Sequence, residues 1–72
     1  MDYSLHIYID SNIRFGKPCV KNTRISVYDV LGWLASGMSI SEIIADYTEL
    51  NEENIYACLA YVADKENQLK IV

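Results

Sequence analysis

The sequence predicts a mainly α fold in which three helices close one core behind a short N-terminal β-strand and hairpin segment. Three observations predict it. From Ser26 onward, a short polar residue three times follows an apolar residue that is matched by another apolar residue one helical turn inside. This is the staple that fixes a helix entry. The triples are Ile25, Ser26 and Val30; Met38, Ser39 and Ile43; and Leu50, Asn51 and Ile55. Behind each start runs one apolar stripe at the i, i+3, i+4, i+7 spacing of a helix face. Before Ser26 the period changes: Leu5, Ile7 and Ile9 alternate with His6, Tyr8 and Asp10, the pattern of a strand with one buried face.

Taken in order, the alternation places a strand over 4–9, with His6 on the face away from the core as an ordinary surface or interface residue. Ser11 and Asn12 make a turn, and Ile13 to Phe15 return as a second short strand. Gly16 and Pro18 break any regular element. Pro18 to Val20 and Thr23 to Ile25 then form a small ribbon around Lys21 and Asn22, where Asn22 takes a positive φ at little cost.

Helix one buries Val27, Val30, Leu31 and Leu34; helix two buries Ile40, Ile43, Ile44 and Tyr47; helix three buries Ile55, Cys58, Leu59 and Val62. Ser39 with Glu42 reads as a capping box, and Ser26 with Asp29 as a looser one. Gly37 ends helix one as a left-handed residue. Gly32, inside that helix, implies close approach of another backbone or of a large ring such as Trp33. A short helix, the turn at 48–50 and a longer helix make the outline of a helix-turn-helix. The chain reads as a single domain over 1–72: a β-strand and basic loop segment at 1–25, a three-helix core at 26–66 and an apolar tail at 67–72. The tail docks on its own subunit, on a second copy or on another protein.

Bulk properties narrow the function. A chain of 72 residues has little core and little room for a catalytic pocket, so no enzyme activity is expected. Two cysteines and a single histidine, without metal-ligand spacing, predict reduced thiols and no metal or cofactor. The N-terminus lacks a basic leader and a long apolar run, which predicts a cytoplasmic protein with no membrane contact. An apolar fraction of 51% is high for so short a chain and predicts a homodimer or an obligate partner. A net charge of −4 disfavours non-specific nucleic-acid binding.

Against that acidity stands one basic segment. Arg14, Lys17, Lys21 and Arg24 are four of the six Lys and Arg, with no acid between Asp10 and Asp29. They serve as a phosphate-contacting edge, pair with the chain's own acids, or face a partner. Arg24 is the foremost of them, flanked by Thr23 and Ile25, which would fix its direction. In the second helix of a helix-turn-helix the first turns meet base edges, which places Asn51, Asn54 and Tyr56 as hydrogen-bonding candidates. Glu52 and Glu53 lie there too; they repel phosphates and suit the positive end of the helix dipole.

The order Gly16, Lys17, Pro18, then Lys21, Thr23, Arg24, Ile25 and Val27, followed by Gly37, Ser39, Glu42, Ile43, Asp46, Tyr47, Leu50 and Ile55, resembles the domain of unknown function 433 family. The resemblance spans roughly residues 13–63. It departs at Asn22, where the family usually has Gly, and at Thr48, where Pro is common. It implies a homeodomain-like helix-turn-helix core and a VapB-like antitoxin that binds and neutralises a PIN-like ribonuclease toxin. It also allows for operator DNA bound by a dimer. The basic segment would then face the carboxylates that hold Mg²⁺ or Mn²⁺ in the nuclease. The rival reading is an interaction or assembly module that touches no nucleic acid, favoured by the acidic third helix.

Overall fold

The computed structural model describes the backbone of residues 1–69 and the side chains of residues 1–66. Two short strands, β1 (Ile7–Tyr8) and β2 (Cys19–Val20), precede three helices, α1 (Val27–Ala35), α2 (Ile40–Asp46) and α3 (Glu52–Leu69). The strands pair antiparallel, with Ile7 opposite Val20 and Tyr8 opposite Cys19. α1 and α2 both pack on α3. Ile7, Val20, Val27, Val30, Ile43, Leu50, Ile55, Ala57, Cys58 and Tyr61 form one buried cluster, so the sheet closes one end of the helical core.

The helix starts follow the cap chemistry. Ser26 Oγ accepts the Asp29 N–H at 3.0 Å while the Asp29 carboxylate accepts the Ser26 N–H, a complete capping box where a looser one is expected. Ser39 and Glu42 form the second box. The third start is capped by Asn51 as its place in the staple implies, and Asn54 makes the cap reciprocal, a part not foreseen for it. α1 ends on Gly37 at φ 102, with the Gly37 N–H donating to Leu34 O and the Met38 N–H to Trp33 O, a left-handed termination that returns the chain into α2. Trp33 stacks on Tyr47 at the far end of α2, ring centroids 3.9 Å apart.

The N-terminal third departs from the period-two reading. β1 has two residues rather than the expected 4–9, and Tyr3–Leu5 form a 3₁₀ turn capped by Asp2. Only Ile7 of the alternating set is buried; Leu5 and Ile9 are 67% and 59% exposed. The cause is tertiary: Tyr3 sets its ring edge-on to Tyr61 and its hydroxyl on Asp64 of α3, which winds the chain before β1 instead of extending it. The return strand expected at Ile13 to Phe15 is instead a 3₁₀ turn over Arg14–Gly16.

The ribbon around Lys21 and Asn22 is present in reduced form. Cys19 bridges antiparallel to Ser26, the Val20 N–H donates to Ile25 O at 2.9 Å, and Asn22 takes φ 65 as expected. Cys19, inside the expected ribbon, is fully buried in β2. Gly32 is not approached from another segment: among the described residues a Cβ there would meet no atom within 4 Å beyond its own chain neighbours and helix backbone, so no second backbone explains it. Leu59 is exposed rather than buried, and Ala57 and Tyr61 fill the α3 face beside Ile55 and Cys58. α3 runs on to Leu69, and residues 70–72 of the apolar tail lie outside the described residues.

Candidate functional site

The basic residues lie on the two turns that flank β2. The stretch from Asp10 to Lys17 folds on itself: the Ile13 N–H donates to Asp10 O at 2.9 Å, the Gly16 N–H to Ile13 O at 3.1 Å and the Lys17 N–H to Arg14 O at 3.1 Å. Arg14, Phe15 and Gly16 all take left-handed backbone, at φ 51, 57 and 78. Beyond β2, the turn at 20–23 is closed by the Thr23 N–H and hydroxyl, both donating to Val20 O.

Arg14 ties the first turn to the helical core. Its Nη1 donates to Asp29 Oδ2 at 3.0 Å and to Arg24 O at 2.7 Å. The Asp29 hydrogen bond and charge raise the Arg14 pKa. Burial works to raise the Asp29 carboxyl, but the Ser26 N–H and the Arg14 guanidinium outweigh it and hold Asp29 below the ordinary carboxylate range. Of the four basic residues, Arg14 therefore belongs to the architecture. Lys17, Lys21 and Arg24 are exposed and, among the described residues, enter no ion pair.

The other candidates separate in the same way. Thr23 is structural: besides its bonds to Val20 O, its hydroxyl accepts the Ile25 N–H. The backbone that carries Arg24 is thereby fixed, as its flanking residues imply. Asn51 and Asn54 occupy their side-chain oxygens on each other's N–H groups, and Asn54 Nδ2 lies 3.3 Å from His6 Nδ1. His6, half-buried and 3.9 Å from the Glu53 carboxylate, thus braces the start of α3. Tyr56 is exposed one turn further along. His6 also joins this group to the second basic turn, for the Lys21 N–H donates to His6 O at 2.8 Å.

Sequence reasoning missed Phe15. It is 99% exposed at the tip of the first basic turn, with Arg14 on one side and Gly16 and Lys17 on the other. The signal was there: a lone aromatic between basic residues and a glycine, in a run too short to establish a strand period.

Elsewhere the surface offers little chemistry. An open depression of about 600 Å³ lies between the N-terminal turn and α3, lined by Met1, Tyr3, Ala60, Ala63 and Asp64 among others. Its polar side chains bond one another, Tyr3 with Asp64 and Ser4 with Asp2. Among the described residues no group of His, Cys, Asp or Glu is placed to hold a metal ion, and no helix is long and apolar enough to cross a membrane. Both cysteines are free thiols, and burial pushes the Cys58 pKa up to about 11, which leaves it a poor nucleophile.

Fold and surface together define a small, mainly helical domain that presents a basic two-turn edge beside a two-stranded sheet. The chain belongs to the family described as "Protein of unknown function (DUF433)", whose model matches residues 7–62. It is similar to the crystal structure of a DUF433 member protein from Anabaena variabilis ATCC 29413, with a TM-score of 0.79 at 27% sequence identity. That likeness covers 86% of this chain and 61% of the other, so this chain spans about six-tenths of the length of that relative. No curated protein matches this chain.

Proposed function

We propose that this chain is a binding protein of the antitoxin class, which holds and silences a PIN-like ribonuclease through its basic turns. The observation that carries the reading is a separation of charge. Lys17, Lys21 and Arg24 lie exposed and outside any ion pair among the described residues, on a chain of net charge −4. A cationic edge left open on an acidic molecule suits a partner with the opposite local charge. A nuclease that binds Mg²⁺ or Mn²⁺ through carboxylates has such a surface at its active site. The partner class comes from the resemblance that the GKP and TRI residues carry, and the homeodomain-like helix-turn-helix is the scaffold that resemblance implies for α1, α2 and α3.

The test is reconstitution with the product of the adjacent gene. A stable complex, loss of ribonuclease activity on mixing and weaker inhibition by Arg24→Ala are expected. A neighbouring product without ribonuclease activity, or one whose activity is unchanged by this protein, overturns the reading.

A second reading, an interaction module that binds no nucleic acid, draws on α3. Its first turn offers Glu52 and Glu53 to a phosphate backbone, and Asn51 and Asn54 are occupied as caps. Operator binding by a homodimer would then have to run through the basic turns. A gel shift with the upstream DNA, with and without the neighbouring product, separates the two: a specific shift removes the second reading.

A further inference from the structure

A single exposed apolar side chain is ordinary on a protein surface; the backbone beneath Phe15 is not. Arg14 and Phe15 both hold left-handed φ values of 51 and 57, a region in which the Cβ of an L-residue crowds the following carbonyl. Such strain persists only where the surroundings over-determine it, and it concentrates at recognition and switch sites. Here the determinants are visible. Arg14 Nη1 bonds Asp29 Oδ2 and Arg24 O, Asp29 is itself fixed by the α1 cap, and the Gly16 and Lys17 N–H groups close the turn from within. The result is a ring pushed 99% into solvent, where it adds nothing to the chain's own core.

The geometry points to Phe15 as the anchor of a protein-docking loop: its ring enters an apolar pocket of a partner protein whose rim carries carboxylates facing Lys17 and Arg24. The inference rests on the protein-binding reading above and specifies how the same edge is recognised. Aromatic side chains seated in desolvated pockets dominate interface energetics, and a loop already held in its bound shape loses less freedom on docking. Arg14 is the positioning residue, fixing the turn from the side of α1. A fluid bilayer imposes no shape, so a braced turn gains nothing there, and one ring is a marginal anchor. Single-stranded nucleic acid is bound by successive stacking rings along a basic groove, whereas this edge has one fully exposed ring, the nearby Tyr8 being half-buried with its hydroxyl on Thr23 O, on an acidic chain.

The test places the photo-crosslinker p-benzoylphenylalanine at position 15, and at the exposed Tyr28 as control, in cells of the source organism; the cross-linked protein is then purified and titrated. One protein is expected to cross-link from position 15 and not from 28. Its binding should weaken about thirtyfold or more in Phe15→Ala, with an unchanged circular dichroism spectrum, and be largely restored by Phe15→Leu. Arg14→Ala should weaken it comparably, and the double variant no further than Phe15→Ala alone. No protein adduct at 15, or a Phe15→Ala affinity within twofold of wild type, overturns the inference. So does Phe15-dependent binding to phosphatidylcholine–phosphatidylglycerol vesicles or to oligouridylate in place of a protein. An adduct that is not a ribonuclease removes the antitoxin reading and leaves the docking loop standing; a ribonuclease complex indifferent to Phe15→Ala does the reverse.

Discussion

Arg14 and Asp29, fifteen residues apart, meet at 3.0 Å on a carboxylate oxygen that also accepts the Ser26 N–H. One carboxylate therefore holds both the first turn of α1 and the strained basic turn, and one proton loosens both. Asp29 has a depressed pKa in the folded chain, because the Ser26 and Arg14 contacts outweigh burial. A carboxyl depressed by folding contributes stability that is present above its unfolded value and lost as pH falls through the folded one. The thermal midpoint is expected to hold from pH 7 to about 5 and to fall as the pH drops below the ordinary carboxylate range of about 4. Asp29→Asn should start lower at pH 7 and fall less steeply. Some slope remains, since Glu42 is also depressed by its Ser39 cap. An acid limb as steep in Asp29→Asn as in wild type would remove Asp29 from this role.

Gly32 sits within α1, exposed and with open space where a Cβ would stand. Among the described residues, the close approach of a second backbone that its place in the helix implies is absent. Without a steric cost, the backbone entropy that glycine forfeits in a helix is recoverable. Gly32→Ala should raise stability by about 1 kcal/mol, read as a higher urea midpoint at unchanged m-value. A lower midpoint would mean that something does press on that face.

The parts of the fold that were legible are the parts written locally. Ser26 with Asp29 and Ser39 with Glu42 fix their helices through bonds three residues long, so residue type and spacing suffice. Gly37, which lacks a Cβ, and Asn22 take the positive φ that their residue types foretell. Leu5 and Ile9 misled because a strand of two residues has no period to read, and what winds the chain there is Tyr3 reaching Tyr61 and Asp64 from the other end of the sequence. The candidate site shows the same division. Four cations in one segment were plain to see, but that Arg14 turns inward to Asp29 while Lys17, Lys21 and Arg24 stay outside is a long-range fact. Phe15 was hidden by being read as the last residue of a strand.

The left-handed turn makes a prediction about stability that is independent of any partner. Phe15 makes no packing contribution to lose, being 99% exposed, yet its backbone sits at φ 57. Glycine occupies that region freely, at the cost of a more disordered unfolded state. Phe15→Gly should therefore be more stable than wild type by about 0.5–1 kcal/mol, measured by chemical denaturation, whereas Phe15→Ala, which keeps the strain, should be neutral. Destabilisation by glycine would show that the ring supports the fold after all.

Asn51 and Asn54 decide between a capping and a base-reading role for the start of α3. Each side-chain oxygen accepts the other's N–H, at 2.8 and 2.9 Å, so removing either leaves a helix-terminal N–H without its bond. Asn51→Ala should cost about 1 kcal/mol of stability, and Asn54→Ala a similar amount, since it also releases His6. Because the two bonds orient each other, the double variant should lose less than the sum of the singles. Residues poised for base edges behave otherwise: they stand clear of the backbone, so their removal leaves the urea midpoint in place and changes only the gel shift with upstream DNA. Unaltered midpoints in both single variants would return these side chains to the DNA-reading face; lowered, non-additive midpoints keep them as the clasp that starts α3, and leave the basic turns as the surface through which this chain meets another molecule.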